Sequence, residues 1–555
     1  MLNILISRQN KYLVLPQTEI KISIWDSYKR GGIKDALDFK IKKEKRGYSM
    51  KRFMILLTVF GILLTLLAGC GKDTDDGEVT TEEVVETEGE TSEYDEWGRL
   101  HVDDGVSREL DFGNTEISLL LRAGDQYYYE WYNDKMEDAV DEAVFERNAY
   151  VSEQLGVVFN YYHLPCNESG KDLNTEQFNS AIINDRSADL GTYDIVSHFA
   201  SFGAVASLMD CYVNLLDEEK LPYLDFDKPW WNEKHREAAT VNDQLYFAVG
   251  HLNLSFLDRL NVIYFNIALA EAYGLPNMYE LVLNWEWTYE KLYEYANTYY
   301  EDRDNSMNKN ENDFYAVAGV TWTQGYDCYL QGFEQYLVQT NDDGTHTLRE
   351  SSTDIWDDAT DKIYALFNAE GSYLNSNSGV IVDMFANNQI LFAHQVVSHN
   401  FRHNAVYRDM EDEFGILPIP KYDDNQKEYG SNVGDCYNIQ SIPSYSSMNG
   451  EMLSAVLELM YAESYRDIYP YYFERILKTR YVNTEDSSKV FDLILDRAKF
   501  DYGQIYAMTI GDIVQKMWRE PSYYASYSVP RLLLTYKTGF NKELQKLDEW
   551  FGVIG

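Results

Sequence analysis

Between Thr115 and Ser197 the chain alternates two hydrophobic periods, and no other feature limits its possible folds as much. Thr115 to Arg122 (TEISLLLR) reads as a strand from its apolar run. Met136 to Leu155 carries Val140, Ala143, Val144 and Val151 at near-helical spacing, and Gly156 ends that helix. VVFNYYHL is the next strand, residues 174–186 a second helix, and Tyr193-Asp194-Ile195-Val196-Ser197 a third strand. A β-α-β-α-β order predicts an α/β sheet with parallel crossovers. No period of 20–50 residues repeats, which argues against a solenoid.

Upstream, Met50 to Cys70 reads MKRFMILLTVFGILLTLLAGC. Two cations, an apolar run and a small-residue ending make a secretory signal peptide. Its last four residues, Leu67-Ala68-Gly69-Cys70, also fit a bacterial lipobox, in which cleavage precedes a cysteine that takes lipid on its thiol. The competing reading is a transmembrane anchor. The run is near the short end of what spans about 30 Å of hydrocarbon, and an acidic tract follows directly. The expectation is a folded domain on the outer face of a Gram-positive bacterial membrane, held by lipid on Cys70. Residues 1–49 are basic and precede a complete signal peptide. Translation is therefore expected to start at Met50, with Lys45-Arg46-Gly47 as read-through of a ribosome-binding site and no packed structure in 1–49. Residues 71–111 are dominated by Asp, Glu, Thr and Gly and are expected to form a disordered tether.

The remaining stretch, 112–555, is long enough for a sizeable core. A formal net charge of −43 argues against nucleic acid and against attraction to an anionic membrane face. Beyond Cys70 there are four cysteines, Cys166, Cys211, Cys328 and Cys436, which allow three pairings. None forms a CxxC, so a zinc cluster is not expected. Buried thiols with at most one bridge are.

Further on, Thr240 to Val249 reads as a hairpin around Asn242-Asp243, followed by a strand 261–265 and a helix 267–273. Thr288 is expected to cap a helix 289–300. A helix 357–369, a mixed segment 385–395, a short strand 414–420 and a strand 438–442 come next. Helices at about 449–465, 467–478, 487–498 and 510–519 make the second half helix-rich.

Seven stretches in this order resemble a known family. Tyr193-Asp194-Ile195-Val196, with the helix behind it to Leu215, is similar to a PDIV-like strand and helix. Leu224-Asp225-Phe226-Asp227-Lys228-Pro229-Trp230-Trp231-Asn232 resembles "LDLDKPWW". Thr240–Ala248 is similar to "TVNGKLYFA", Ile263-Tyr264-Phe265-Asn266 to "YFNK", and Trp287-Thr288-Tyr289 to Leu292 to "WTxDKL". Phe414 to Asp423 resembles "yGvlPiPKYD", and Tyr429-Gly430-Ser431-Asn432 with Ile439 to Pro443 completes the series. The family is the extracellular solute-binding proteins, family 1, in its large clostridial-type subgroup: carbohydrate-binding lipoproteins of ABC importers. The likeness spans roughly 115–550.

The resemblance implies an α/β, two-lobed, periplasmic-binding-protein-like type II fold with a helix-rich second lobe. The first lobe would take about 112–255 plus 385–435, the second about 256–384 plus 436–555. It implies a monomeric receptor, not an enzyme, that captures an oligosaccharide and delivers it to a permease. Rival readings are a surface glycan receptor for sensing or adhesion, and a cell-surface glycan hydrolase. Sugar sites pair aromatic platforms with polar groups, and family position points to Ser197, His198, Asn253, Trp322, Gln324, His394, Asp435 and Trp518 as contacts.

Asp302 to Asp313 has the twelve-residue layout of an EF-hand-like loop, with Asp302, Asp304, Ser306, Asn308, Asn310 and Asp313 as candidate ligands of a structural calcium ion. Met307 stands where the turn wants glycine, and Ser306 where a carboxylate is usual. His399 and His403 are four apart near His394, but no HExxH or third ligand accompanies them. Neither a P-loop nor a GxSxG elbow occurs.

Overall fold

The structure, a computed structural model, describes residues 12–15, 18–23, 99, 101–124, 128–132, 139–166, 174–321, 323–397, 407, 410–472 and 484–554. The lipobox with Cys70, most of the tether, Trp322, His399 and His403 lie outside the described residues. Tyr12–Leu15 pairs antiparallel with Thr18–Ser23 in a unit, Met1–Thr91, distinct from Ser92–Gly555. No helix among the described residues is long and apolar enough to cross a membrane.

Among the described residues, nine strands form the main order of two sheets in the larger unit, and a tenth, the two-residue Tyr300–Glu301, pairs off that order. In chain order the nine are β1 (Thr115–Arg122), β2 (Val157–Leu164), β3 (Ile195–Phe199), β4 (Asn261–Asn266), β5 (Phe314–Val320), β6 (Ser372–Asn375), β7 (Ile390–Val396), β8 (Phe414–Leu417) and β9 (Asn438–Ser441). The first sheet has the order β9-β3-β1-β2, with β1 parallel to β2 and β3 and β9 antiparallel at the edge. The second has the order β6-β5-β7-β4-β8, and β5, β6 and β7 run parallel. β4 is antiparallel to both of its neighbours.

Period-two alternation fixes the first sheet. Ile117, Leu119 and Leu121 face one side, against Val151, Leu155, Trp230 and Met452. Leu120 faces the other, with Val196, Phe178 and Ile182. β5 and β7 are buried along their whole length, so neither shows alternation: β5 reads as a continuous apolar run, and β7 as one that ends in His394, Gln395 and Val396. The turn at Asn242-Asp243 is as expected: both residues have positive φ (47° and 58°) between the bridged Val241 and Gln244. Thr288 precedes the helix Tyr289–Thr298, but its side chain makes no capping bond.

The lobe boundaries need correcting. β7 lies between β4 and β5, and β8 lies on β4, so 385–435 belongs with the second sheet. β9 pairs with β3, and the helix Gly450–Glu463 is buried in the first-lobe core, so the chain returns to the first lobe after 435. Strand pairing, which a linear pattern does not contain, decides this. The later helices, Glu485–Asp496 and Val529–Trp550, make the second lobe helix-rich.

Candidate functional site

In open α/β sheets ligands bind outside the carboxyl ends of the strands, at a crevice. A line of contacts joins that end of β3 in the first lobe to that of β5 in the second. Just past β3, Ser201 Oγ donates to the Asp435 carbonyl at 3.2 Å. Asp435 lies in the segment returning to the first lobe, with its Oδ2 at 3.9 Å from Arg519 Nη2. Arg519 Nε in turn donates to both oxygens of Asp327, at 2.7 and 2.8 Å.

Local backbone geometry aims these groups. Asp327 ends a π-helical turn, Thr323–Asp327, that follows β5, and Arg519 ends another, Gln515–Arg519. Such turns are rare and recur at functional sites. Trp518 Nε1 donates to the Tyr326 carbonyl at 2.9 Å, a second tie between the two turns. Burial pushes the Asp327 carboxyl up, opposed by the Arg519 guanidinium. Asp327 and Asp435 both hold Arg519 well above its ordinary value, against the desolvation that would lower it.

Beside this cluster lies a group of exposed rings. Tyr326 meets Tyr523 edge-on at 6.1 Å, Tyr523 meets Tyr524 at 4.6 Å, and Tyr524 lies 5.2 Å from Tyr527. Tyr523, Tyr524 and Tyr527 keep 37%, 43% and 40% of their surface exposed. Large exposed aromatics packed on one another are unusual away from a binding surface.

The expected contacts divide accordingly. Asp435 belongs to the cluster around Arg519. Trp518 is buried and acts through Tyr326. Gln324 lies in the turn after β5. The other described positions are buried. His198 is buried on the far face of the first sheet, its ring edge-on to Phe178 at 4.6 Å and its Nε2 against the Asn179 amide. Burial pulls it down to about 3, so it is neutral. Ser197 is buried within β3. Asn253 donates to the Asn438 carbonyl and accepts from Gly250 N and Tyr461 Oη, each at 2.9 Å, which makes it a structural tie. His394 lies inside the second sheet with Nε2 2.7 Å from Tyr329 Oη, pulled down to about 4 by burial. Each of these polar residues lies in or beside a strand, and strand position alone does not tell a cleft end from a packed face.

Sequence reading missed Asp327, Arg519 and the tyrosines. The signals present were PSYYASY, dense in rings, and an arginine next to Trp518. It also missed Arg122, whose buried guanidinium donates to the carbonyls of Cys166 and Cys436 and lies 4.5 Å from the Phe199 ring. The four cysteines after Cys70 are all thiols.

The loop 302–313 precedes β5, at the end opposite the crevice. Carboxylate oxygens of Asp302, Asp304 and Asp313 lie within 4.8 Å of one another. Asp304 Oδ2, Ser306 Oγ and the Asn308 carbonyl converge on Asn310 Nδ2 at 3.1, 2.9 and 2.9 Å. Turning that amide over would present Oδ1 to the same point. An all-oxygen donor set of this kind suits a hard divalent cation.

Neither a family profile nor a curated protein matches the chain. Solved structures do. A cyclic α-maltosyl-1,6-maltose binding protein from Arthrobacter globiformis aligns at 13% identity and TM-score 0.51, over 78% of this chain and all (100%) of the other. An ABC transporter solute-binding protein from Thermotoga lettingae, bound with α-D-tagatose, aligns at 14% identity and TM-score 0.49, over 78% and 100%. An ABC substrate-binding protein from Listeria monocytogenes, in complex with cycloalternan, aligns at 12% and 0.46, over 79% and 99%. The chain has the α/β two-lobed fold of the periplasmic-type solute-binding proteins.

Proposed function

We propose that this protein is a substrate-binding receptor that captures a carbohydrate, an oligosaccharide in view of the length of chain, and passes it to an ABC import permease. The observation that carries the reading is the set of exposed tyrosines 523, 524 and 527 beside the Asp327–Arg519–Asp435 cluster. Sugars offer apolar C–H faces and hydroxyl edges. Flat rings take the first, and carboxylates and a guanidinium take the second. The two-lobed fold supports capture by closure, in which ligand selects a closed state through contacts made only there. The sugar-binding proteins it aligns with are consistent with that class of ligand.

On this reading Cys70 carries the lipid, 71–111 spaces the receptor from the membrane, and the loop 302–313 holds a structural calcium ion. A glycan array followed by thermal-shift titration of the purified protein is the test. Stoichiometric, saturable binding of a glucan or related oligosaccharide without release of reducing ends is expected. No sugar shifting the melting temperature, while peptides do, would overturn the carbohydrate reading.

A further inference from the structure

The lobes are joined where residues 250–260 and 433–437 run between the sheets, and one buried carboxylate holds both crossings. Glu130 is fully buried. Its Oε2 accepts from Ser255 N at 3.0 Å and Ser255 Oγ at 2.7 Å, on the helix Leu254–Asp258 of the first crossing. Its Oε1 accepts from Asn438 Nδ2 at 2.8 Å, where the second crossing becomes β9. Gln440 Nε2 lies 3.4 Å from the same oxygen. Ser255 Oγ accepts in turn from Asn438 N at 3.1 Å, closing the link between the crossings.

Neighbouring side chains extend the link. Tyr129 and Tyr472 both donate to Asp258 at the end of the same helix. Arg147 donates to the Glu130 carbonyl and to Ser464 Oγ, each at 2.8 Å, and Ser464 opens the third connection between the lobes.

We infer that Glu130 is the positioning residue of the hinge: its carboxylate fixes the two crossings in register, and its ionisation sets how readily the lobes part. This goes beyond the carbohydrate reading and holds whatever the ligand. The charged and titratable groups around it are Arg147 on the helix Ala139–Leu155, Asp258 on the crossing helix and Tyr461 on the helix Gly450–Glu463. Arg122 reaches it through Asn438 Oδ1, at 3.1 Å. The carboxylate's own hydrogen bonds all come from neutral donors. Burial, with a smaller contribution from Asp258, pushes Glu130 up to about 7. A hinge that parts admits water and returns the group toward the ordinary glutamate value of about 4.3. The joined state therefore binds the proton more tightly. By linkage, acid favours the joined lobes, and parting becomes easier as pH rises from about 4.3 to about 7 and levels above it.

The test is the radius of gyration of the full-length protein by small-angle scattering from pH 4.5 to 8.5. A rise that levels off near about 7 is expected for the wild type. Glu130→Gln should stay compact throughout. Ser255→Ala, which removes one donor to the ionised form, should carry the rise to higher pH before it levels. Glu458→Gln, which removes another buried carboxylate away from the hinge, should keep the wild-type rise. A flat wild-type profile, or a Glu130→Gln profile that follows the wild type, overturns the inference. Where Glu130→Gln does not fold by circular dichroism, Ser255→Ala decides, and an unmoved levelling point overturns it.

Discussion

The guanidinium of Arg519 forks onto the carboxylate of Asp327, and so joins two π-helical turns that are 192 residues apart in sequence. Their side chains are only 15% and 6% exposed. Removing one partner of such a pair leaves the other charge buried without compensation, at a cost of about 3–5 kcal/mol. Asp327→Asn is expected to lose about 3 kcal/mol in urea unfolding, softened by Asp435, which still faces Arg519. Arg519→Met combined with Asp327→Leu should cost less than either change alone. Arg519→Lys keeps the charge but not the fork, and should fall between. A loss below about 1 kcal/mol for Asp327→Asn would mean that water already reaches the pair.

Glu458 explains a motif. Its carboxylate accepts from the indole nitrogens of Trp230 at 2.9 Å and Trp231 at 3.1 Å, and from Asp225 N at 3.2 Å. The adjacent tryptophans of KPWW are thus two ligands of one buried acid. Burial pushes Glu458 up to about 8, against about 4.3 in an unfolded chain. Between those values the folded state holds more protons, so stability falls as pH rises toward 8 and levels above it. Glu130 contributes with the same sign. Glu458→Gln should flatten the decline in melting temperature between pH 5 and 8. A variant whose decline matches the wild type would show that Glu458 is hydrated.

Local pattern revealed the first lobe and much less of the second. β1, β2 and β3 were legible because each is short, apolar and bounded by a helix that ends at glycine or polar residues. β5, the strand that positions the site, was not. FYAVAGV is buried on both faces, so it lacks alternation, and it follows a polar loop. The helix Val529–Trp550 was also missed: its first two turns, with Pro530 and exposed Leu534, break the expected apolar stripe. Asp435, pointed to by the family resemblance, lies beside Arg519, whereas the burial of His198 and His394 was not legible because a strand's two faces look alike until the sheet is assembled. The Asp327–Arg519 pair could not be read at all, since nothing local couples residues so far apart.

The ring cluster separates ligand binding from stability. Tyr524 and Tyr527 are 43% and 40% exposed, so truncating either removes little from the core. Tyr524→Ala and Tyr527→Ala are each expected to weaken oligosaccharide binding about tenfold, or about 1.4 kcal/mol, with the melting temperature unchanged. Tyr524→Phe should retain most of the affinity if the ring face makes the contact. Isothermal titration with the sugar found by the array checks this. Full affinity in both alanine variants would place the sugar elsewhere in the crevice.

The loop 302–313 makes its turn without glycine. Met307, at its sixth position, has φ 59° and is 92% exposed, so it takes the left-handed conformation with no packing in return. That conformation costs a residue with a side chain about 1–2 kcal/mol, while glycine gives back about 0.5–1 kcal/mol in backbone entropy. Met307→Gly should therefore raise stability by up to about 1.5 kcal/mol. Calcium is expected to raise the melting temperature of the wild type, and more so that of Met307→Gly, whose turn is no longer strained. Asp304→Asn with Asp313→Asn should remove the calcium effect, although Asp313 also accepts from Tyr300, Tyr315 and the backbone of Arg303 and Asn310, so the double change lowers stability without calcium too. Thermal scans with calcium and with chelator distinguish these terms. A wild type whose melting temperature is the same in both would show that the Asn310 amide keeps the centre of the loop for itself.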